Sequence, residues 1–195
     1  MAEQPAEGTG AEGSGAESRR AASDSDEVIE ARLQQLLAAV VRSLEASGAR
    51  TEALGSFEAR RAILGIRRSP AMVPVERVWR LGVLLLDAQG RLFEIGAVTR
   101  AVEPGRVTNQ SARAEERRDY RRAAFNGRFD EGDTVNYDAV AVPLDAASLR
   151  AGDGVLRLRG DTVFVRWNKR AGDDALAELG PYLIERAALL TAPPP

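Results

Sequence analysis

The chain has 195 residues, 44% hydrophobic and 29% charged, which suits one ordinary domain and leaves too little for two full ones. It contains no histidine and no cysteine, and its basic residues are 26 arginines and Lys169, so an imidazole base, a thiolate nucleophile, a disulfide or a thiolate–imidazole zinc site is excluded. Seven acids against Arg19 and Arg20 give residues 1–27 a net charge of −5, while 25 basic and 22 acidic groups leave the rest at +3. That is far below the basic footprint of a duplex-binding domain, so no nucleic-acid partner is expected. The polar, acidic start lacks the apolar stretch of a secretory signal, and no run approaches the roughly 20 apolar residues of a membrane span. A cytoplasmic protein without membrane contact is the expectation.

Residues 1–24 hold no large aliphatic or aromatic residue beyond Met1, which predicts a disordered acidic tail. Asp24 to Glu27 has the form of a capping box, and from there Ile29, Leu33, Leu36, Leu37, Val40, Val41 and Leu44 recur at helical spacing up to Ser47-Gly48. This stripe would serve equally for packing on the chain's own sheet or for a homodimer. Leu54, Phe57, Ile63 and Leu64 suggest a second helix over 51–66, and Ser69 to Pro74 reads as a breaker. The period then falls to two: 78–86, the turn Asp87-Ala88-Gln89-Gly90 and 91–99 predict a hairpin in which Leu85 faces Phe93, Val83 faces Ile95 and Leu81 faces Ala97.

Ser111 offers an N-cap to a helix over 112–125, closed by Asn126-Gly127. Thr134 to Val142 reads as a strand. A second hairpin pairs 155–159 with 162–167 across Gly160-Asp161, setting Leu158 against Val163 and Leu156 against Val165, with Val155 and Arg166 on the solvent side. Pro181 suits the first turn of a last helix, and 191–195 forms a proline-rich end. The fold expected is one α+β domain over 25–190, mainly an antiparallel sheet of about five strands with helices packed on it.

Arg113, Arg117 and Arg121 form an i, i+4, i+8 ridge, flanked by Arg118 and Arg122 and interleaved with Glu115, Glu116 and Asp119. Grouped guanidinium groups can clamp a carboxylate or phosphate in bidentate fashion. Beyond this helix, Asp130, Glu131, Asp133, Asn136, Tyr137 and Asp138 crowd the approach to the next strand, without the spacing of a calcium loop. Arg113, Arg117, Arg121, Asn136, Tyr137 and Asp138 are therefore the candidate ligand-binding residues. No metal or cofactor site is expected, because phosphate loops and the S-x-x-K and G-x-S-x-G nucleophile motifs are missing.

The run from Trp79 to Arg91 resembles the first hairpin of Nudix hydrolases, but the glutamate-rich metal helix of that family has no counterpart around Glu115-Glu116. Over about 55–190, the chain resembles short uncharacterised proteins of GC-rich bacteria, some of which carry an automatic glutaminase label. The likeness rests on Val78-Trp79-Arg80-Leu81-Gly82, Tyr120-Arg121-Arg122-Ala123-Ala124-Phe125, Glu131-Gly132-Asp133-Thr134-Val135-Asn136, Val165-Arg166-Trp167 and Tyr182-Leu183-Ile184-Glu185-Arg186. It implies a small single domain. Two functions are carried forward: a non-enzymatic binding protein for a small anionic ligand or a protein partner, and a small hydrolase, an amidase of glutaminase type, working through carboxylates.

Overall fold

A computed structural model of the chain describes residues 11–58, 71–105, 111–168, 171 and 175–192, with side chains over the same ranges except 11–22, 58, 112 and 113. Helix α1 (Ala11–Ala46) buries Ile29, Leu33, Leu37, Val40, Val41 and Leu44, as their spacing requires. The helix passes through Asp24–Glu27 instead of starting there, since the alanine- and glutamate-rich stretch before it favours the same conformation. Of the expected tail, 1–10 falls outside the described residues and 11–24 has helical backbone. Gly48, at φ 64°, closes the helix end at the expected place.

The segment expected as a second helix is instead strand β1 (Glu52–Glu58) as far as it is described; 59–70 lies outside the described residues. Strand β2 (Ala71–Leu81) begins inside the expected breaker, and Pro74 is accommodated because it faces Gly55 beside a bulge in β2, where the register passes over Val75. The expected strand 78–86 is also broken: Gly82 at φ 65° and Val83 turn the chain into β3 (Leu84–Asp87), with Leu81 paired to Leu84. The Tyr182 hydroxyl accepts the Val83 N–H at 2.9 Å and occupies the space a Cβ at Gly82 would need. An apolar run hid this turn. Leu81 therefore does not meet Ala97, whereas the β3 to β4 (Leu92–Glu94) hairpin has the expected pair Leu85↔Phe93, with Leu86↔Leu92 beside it.

Strand β5 (Ala97–Arg100) follows β4 after two residues, and helix α2 (Ala112–Phe125) leads to β6 (Thr134–Tyr137) and β7 (Val140–Ala141). The seven strands lie in the order β5-β6-β1-β2-β3-β4-β7, with β1 and β6 parallel and every other pair antiparallel. Phe93↔Ala141 and Ala97↔Tyr137 belong to one continuous register, so β4–β5 and β6–β7 are two long segments paired along their length. The sheet consequently closes on itself as a small barrel of five long strands. Its corner is at Gly96 and Asp138: Asp138 has φ 53°, and a Cβ on Gly96 would lie 2.0 Å from the Asp138 carbonyl oxygen. Here the side chains change face.

Outside the barrel, Trp79, Leu81, Leu84, Leu86 and Leu92 pack against the α1 stripe. The same core takes in Leu149 of α3 (Ala146–Ala151), Leu156 of β8 (Leu156–Arg159), Val165 of β9 (Thr162–Arg166), and Leu179, Tyr182 and Leu183 of α4 (Leu179–Thr191). With β10 (Leu176–Glu178), β8 and β9 form a second antiparallel sheet whose register is the expected one, although Val155 is buried in the core and not on the solvent side. The fold is one α+β domain with mostly antiparallel sheet, as expected; among the described residues ten strands lie in two sheets, the larger built of five long strands. Helix α2 covers a smaller cluster of Ala53, Met72, Val135 and Tyr137.

Candidate functional site

Along β6 the pleat sends neighbouring side chains to opposite faces. Asn136 points into the barrel and is fully buried, while Tyr137 points out beneath α2, its ring 4.7 Å from that of Tyr120. Burial, then Tyr120, Asp138 and Glu116, push the Tyr137 hydroxyl above the usual phenol range, so it stays a neutral donor. Asp138 sits exposed at the barrel corner. Arg117 and Arg121 lie on the exposed side of α2, and the Arg113 side chain is outside the described residues. The five candidates whose side chains are described are therefore shared among the barrel interior, the α2 interface and solvent, and do not converge on one cavity.

What the barrel encloses was less visible in the sequence. Leu54, Val78 and Leu85 form its apolar centre, with Phe93, Ile95 and Ala139 against them. Beside them Asn136 accepts a hydrogen bond from Arg80 Nη2 at 2.5 Å and donates to Glu52 Oε2 at 2.7 Å, and Arg80 Nε reaches the same Glu52 oxygen at 3.0 Å. These three side chains come from β6, β2 and β1 and satisfy one another. The only outward sign is an arginine inside the apolar run of β2.

A second polar cluster lies at the β3–β4 turn. Asp87, with no exposed surface, accepts the backbone N–H groups of Gln89 and Arg91 through Oδ1 and the Arg91 Nε through Oδ2 at 2.5 Å. Arg91 Nη2 also donates to Glu76 Oε2 at 2.6 Å. Burial and the neighbouring Asp87 hold the Glu76 carboxyl above its ordinary range, against the opposing pull of Arg91. The turn is thereby stiff, and its outer surface forms one wall of a groove.

That groove, about 520 Å³, runs between α1 and the turn and is lined by Gln34, Leu37, Ala38, Val41 and Arg42 on one side and Ala88, Gln89, Gly90 and Arg91 on the other, with Leu144 beside them. Its size falls within the usual range for ligand clefts. The lining includes two arginines and two glutamines, an aliphatic remainder and no acid. With Arg91 already paired to Asp87 and Glu76, such a surface can bind an anion through Arg42 and the two glutamine amides, but it supplies no nucleophile or general base of its own. Among the described residues, no group of three or more acids is placed to hold a metal ion, and no helix is long and apolar enough to cross a membrane. In comparisons with protein-family models, curated proteins and solved structures, nothing matches this chain.

Proposed function

We propose that the chain is a non-enzymatic binding protein whose ligand carries negative charge, and that the ligand lies in the groove between α1 and the β3–β4 turn. The observation that carries this reading is the groove lining, where Arg42, Gln34 and Gln89 stand exposed with no acid in the lining, while Arg91 is held from behind by Asp87 and Glu76. The buried polar groups of the barrel support it from the other side, because Glu52, Arg80 and Asn136 are spent on one another. This reading keeps the arginine theme of the sequence and moves the site away from α2.

Thermal unfolding with and without citrate, inorganic phosphate and N-acetylglutamate tests it. A rise in melting temperature with at least one anion, lost in Arg42→Gln, is expected; no rise with any of them sinks the proposal. Protein-dependent release of ammonia from glutamine would favour the amidase alternative instead.

A further inference from the structure

We infer that the outer side of α4 is an interaction surface for a second copy of this chain, with the two α4 helices packed antiparallel across a two-fold axis. Helix α4 is apolar on both sides. Leu179, Tyr182, Leu183 and Ala187 are buried, yet Ile184 on the opposite side is 61% exposed and Leu189 62%, with Pro181 and Ala188 exposed beside them. Glu185 is the one charged residue on that side. A helix with one face in water normally makes that face polar, whereas a helix that is apolar all round is covered.

The chain's own segments outside the described residues do not supply the cover. Residues 59–70 run from Glu58 to Ala71, which pair at one end of β2, while Tyr182 of α4 touches the chain just past Leu81 at the other end, about 33 Å along the strand. Twelve residues that must leave and return reach at most about 20 Å outward. Residues 2–10 hold no aliphatic side chain larger than alanine beyond Pro5. The α1 stripe, the other surface with a claim to a homodimer, is spent inside the main core.

A second copy fits the surface. Pro181, Ile184, Ala188 and Thr191 lie along one line of the helix at steps of 3, 4 and 3, the spacing of a helix–helix seam. Those steps read the same in both directions, so an antiparallel copy sets Ile184 opposite the partner's Ala188 and Pro181 opposite the partner's Thr191, each contact made twice. The large side chain at 184 then enters the space left by the small one at 188. A surface that meets itself also does best without charge, since it would face its own sign, and the seam carries none, with Glu185 standing to its side. The seam shares no residue with the groove, so the inference stands apart from the anion reading.

Sedimentation velocity of the full chain at rising concentration is the test. A contact this small predicts a weak dimer, with Kd on the order of micromolar. Ile184→Glu and Ala188→Arg, both at exposed positions, should raise Kd at least about tenfold, while Val140→Glu, at a similarly exposed apolar position on the barrel, and Arg42→Gln should leave it unchanged. Circular dichroism checks that each variant folds. Because the chain has no cysteine, Ala188→Cys introduces a single thiol, through which a short bismaleimide should join two copies; Val140→Cys chains should stay separate. A chain that remains monomeric up to about 100 µM, or a dimer that persists in both seam variants, overturns the inference. Crosslinking at Val140→Cys but not at Ala188→Cys does the same.

Discussion

Gly96 shows how much of this fold depends on single atoms. A methyl group there would meet the Asp138 carbonyl oxygen at 2.0 Å and the Tyr137 carbonyl oxygen at 2.6 Å, both of them backbone atoms that cannot swing aside. Gly96→Ala is therefore expected to destabilise the chain by about 2–4 kcal/mol in urea unfolding, at the upper end of single substitutions; a loss below about 0.5 kcal/mol would mean that the barrel corner is not as tight as described. Glu76 makes a second prediction at this scale. Because its carboxyl is raised in the folded chain by burial and by Asp87, the folded state binds its proton more tightly than the unfolded state does. Its stabilising effect is complete below the ordinary carboxyl range and is lost as the pH rises through the raised value. Unfolding measured across that window should show stability falling with pH, and Glu76→Gln should remove the slope. An unchanged slope in the variant would assign it to another group. Asp26, lowered chiefly by its hydrogen bond with Arg150, acts in the opposite sense, losing its contribution only when the pH drops toward its depressed value.

At the scale of elements, α1 is held by its stripe and not by its ends. Leu37 is 2% exposed in the main core, so Leu37→Ala should cost about 2–5 kcal/mol, while Gln35→Ala on the solvent face should stay within about 0.5 kcal/mol. Equal losses at the two positions would contradict the packing. This helix was legible in the sequence because a 3.6-residue period is local information. The same holds for the Asp87–Gly90 turn and the β8–β9 register, both fixed by turn residues a few positions away. Strand β1 was not legible. Its Leu54 and Phe57 fit a helical step as well as a strand, and what makes it a strand is its pairing with β2 and β6, whose partners lie about 20 and 80 residues on. The candidate site suffered in the same way. Asn136, Tyr137 and Asp138 are adjacent in sequence but divided by the pleat and the Asp138 turn, whereas the groove joins residues 34–42 to 88–91, and no linear motif spans that gap.

For the molecule as a whole, the decisive feature is that one core serves both sheets. Leu81, Leu84 and Leu86 on the barrel's outer face, the α1 stripe, and Leu156, Val165 and Leu183 beyond it belong to a single buried cluster. Helix α4 ties the parts further, since Tyr182 hydrogen-bonds to the backbone of the β2–β3 turn. Neither the barrel nor the three-stranded sheet can keep its apolar face dry without the other, so the described fold should unfold as one cooperative unit. Two tryptophans make this testable: Trp79 is 5% exposed in the shared core and its indole N–H donates to the Ala49 carbonyl oxygen at 3.1 Å, whereas Trp167 follows β9 and is 48% exposed. In a Trp167→Phe variant the emission reports Trp79 alone, and far-UV circular dichroism reports all the secondary structure. The urea transitions from the two signals are expected to coincide in midpoint and slope. If the circular dichroism begins to change well before the Trp79 emission, the three-stranded sheet and α4 separate from the barrel first, and the shared core is not what binds the halves together.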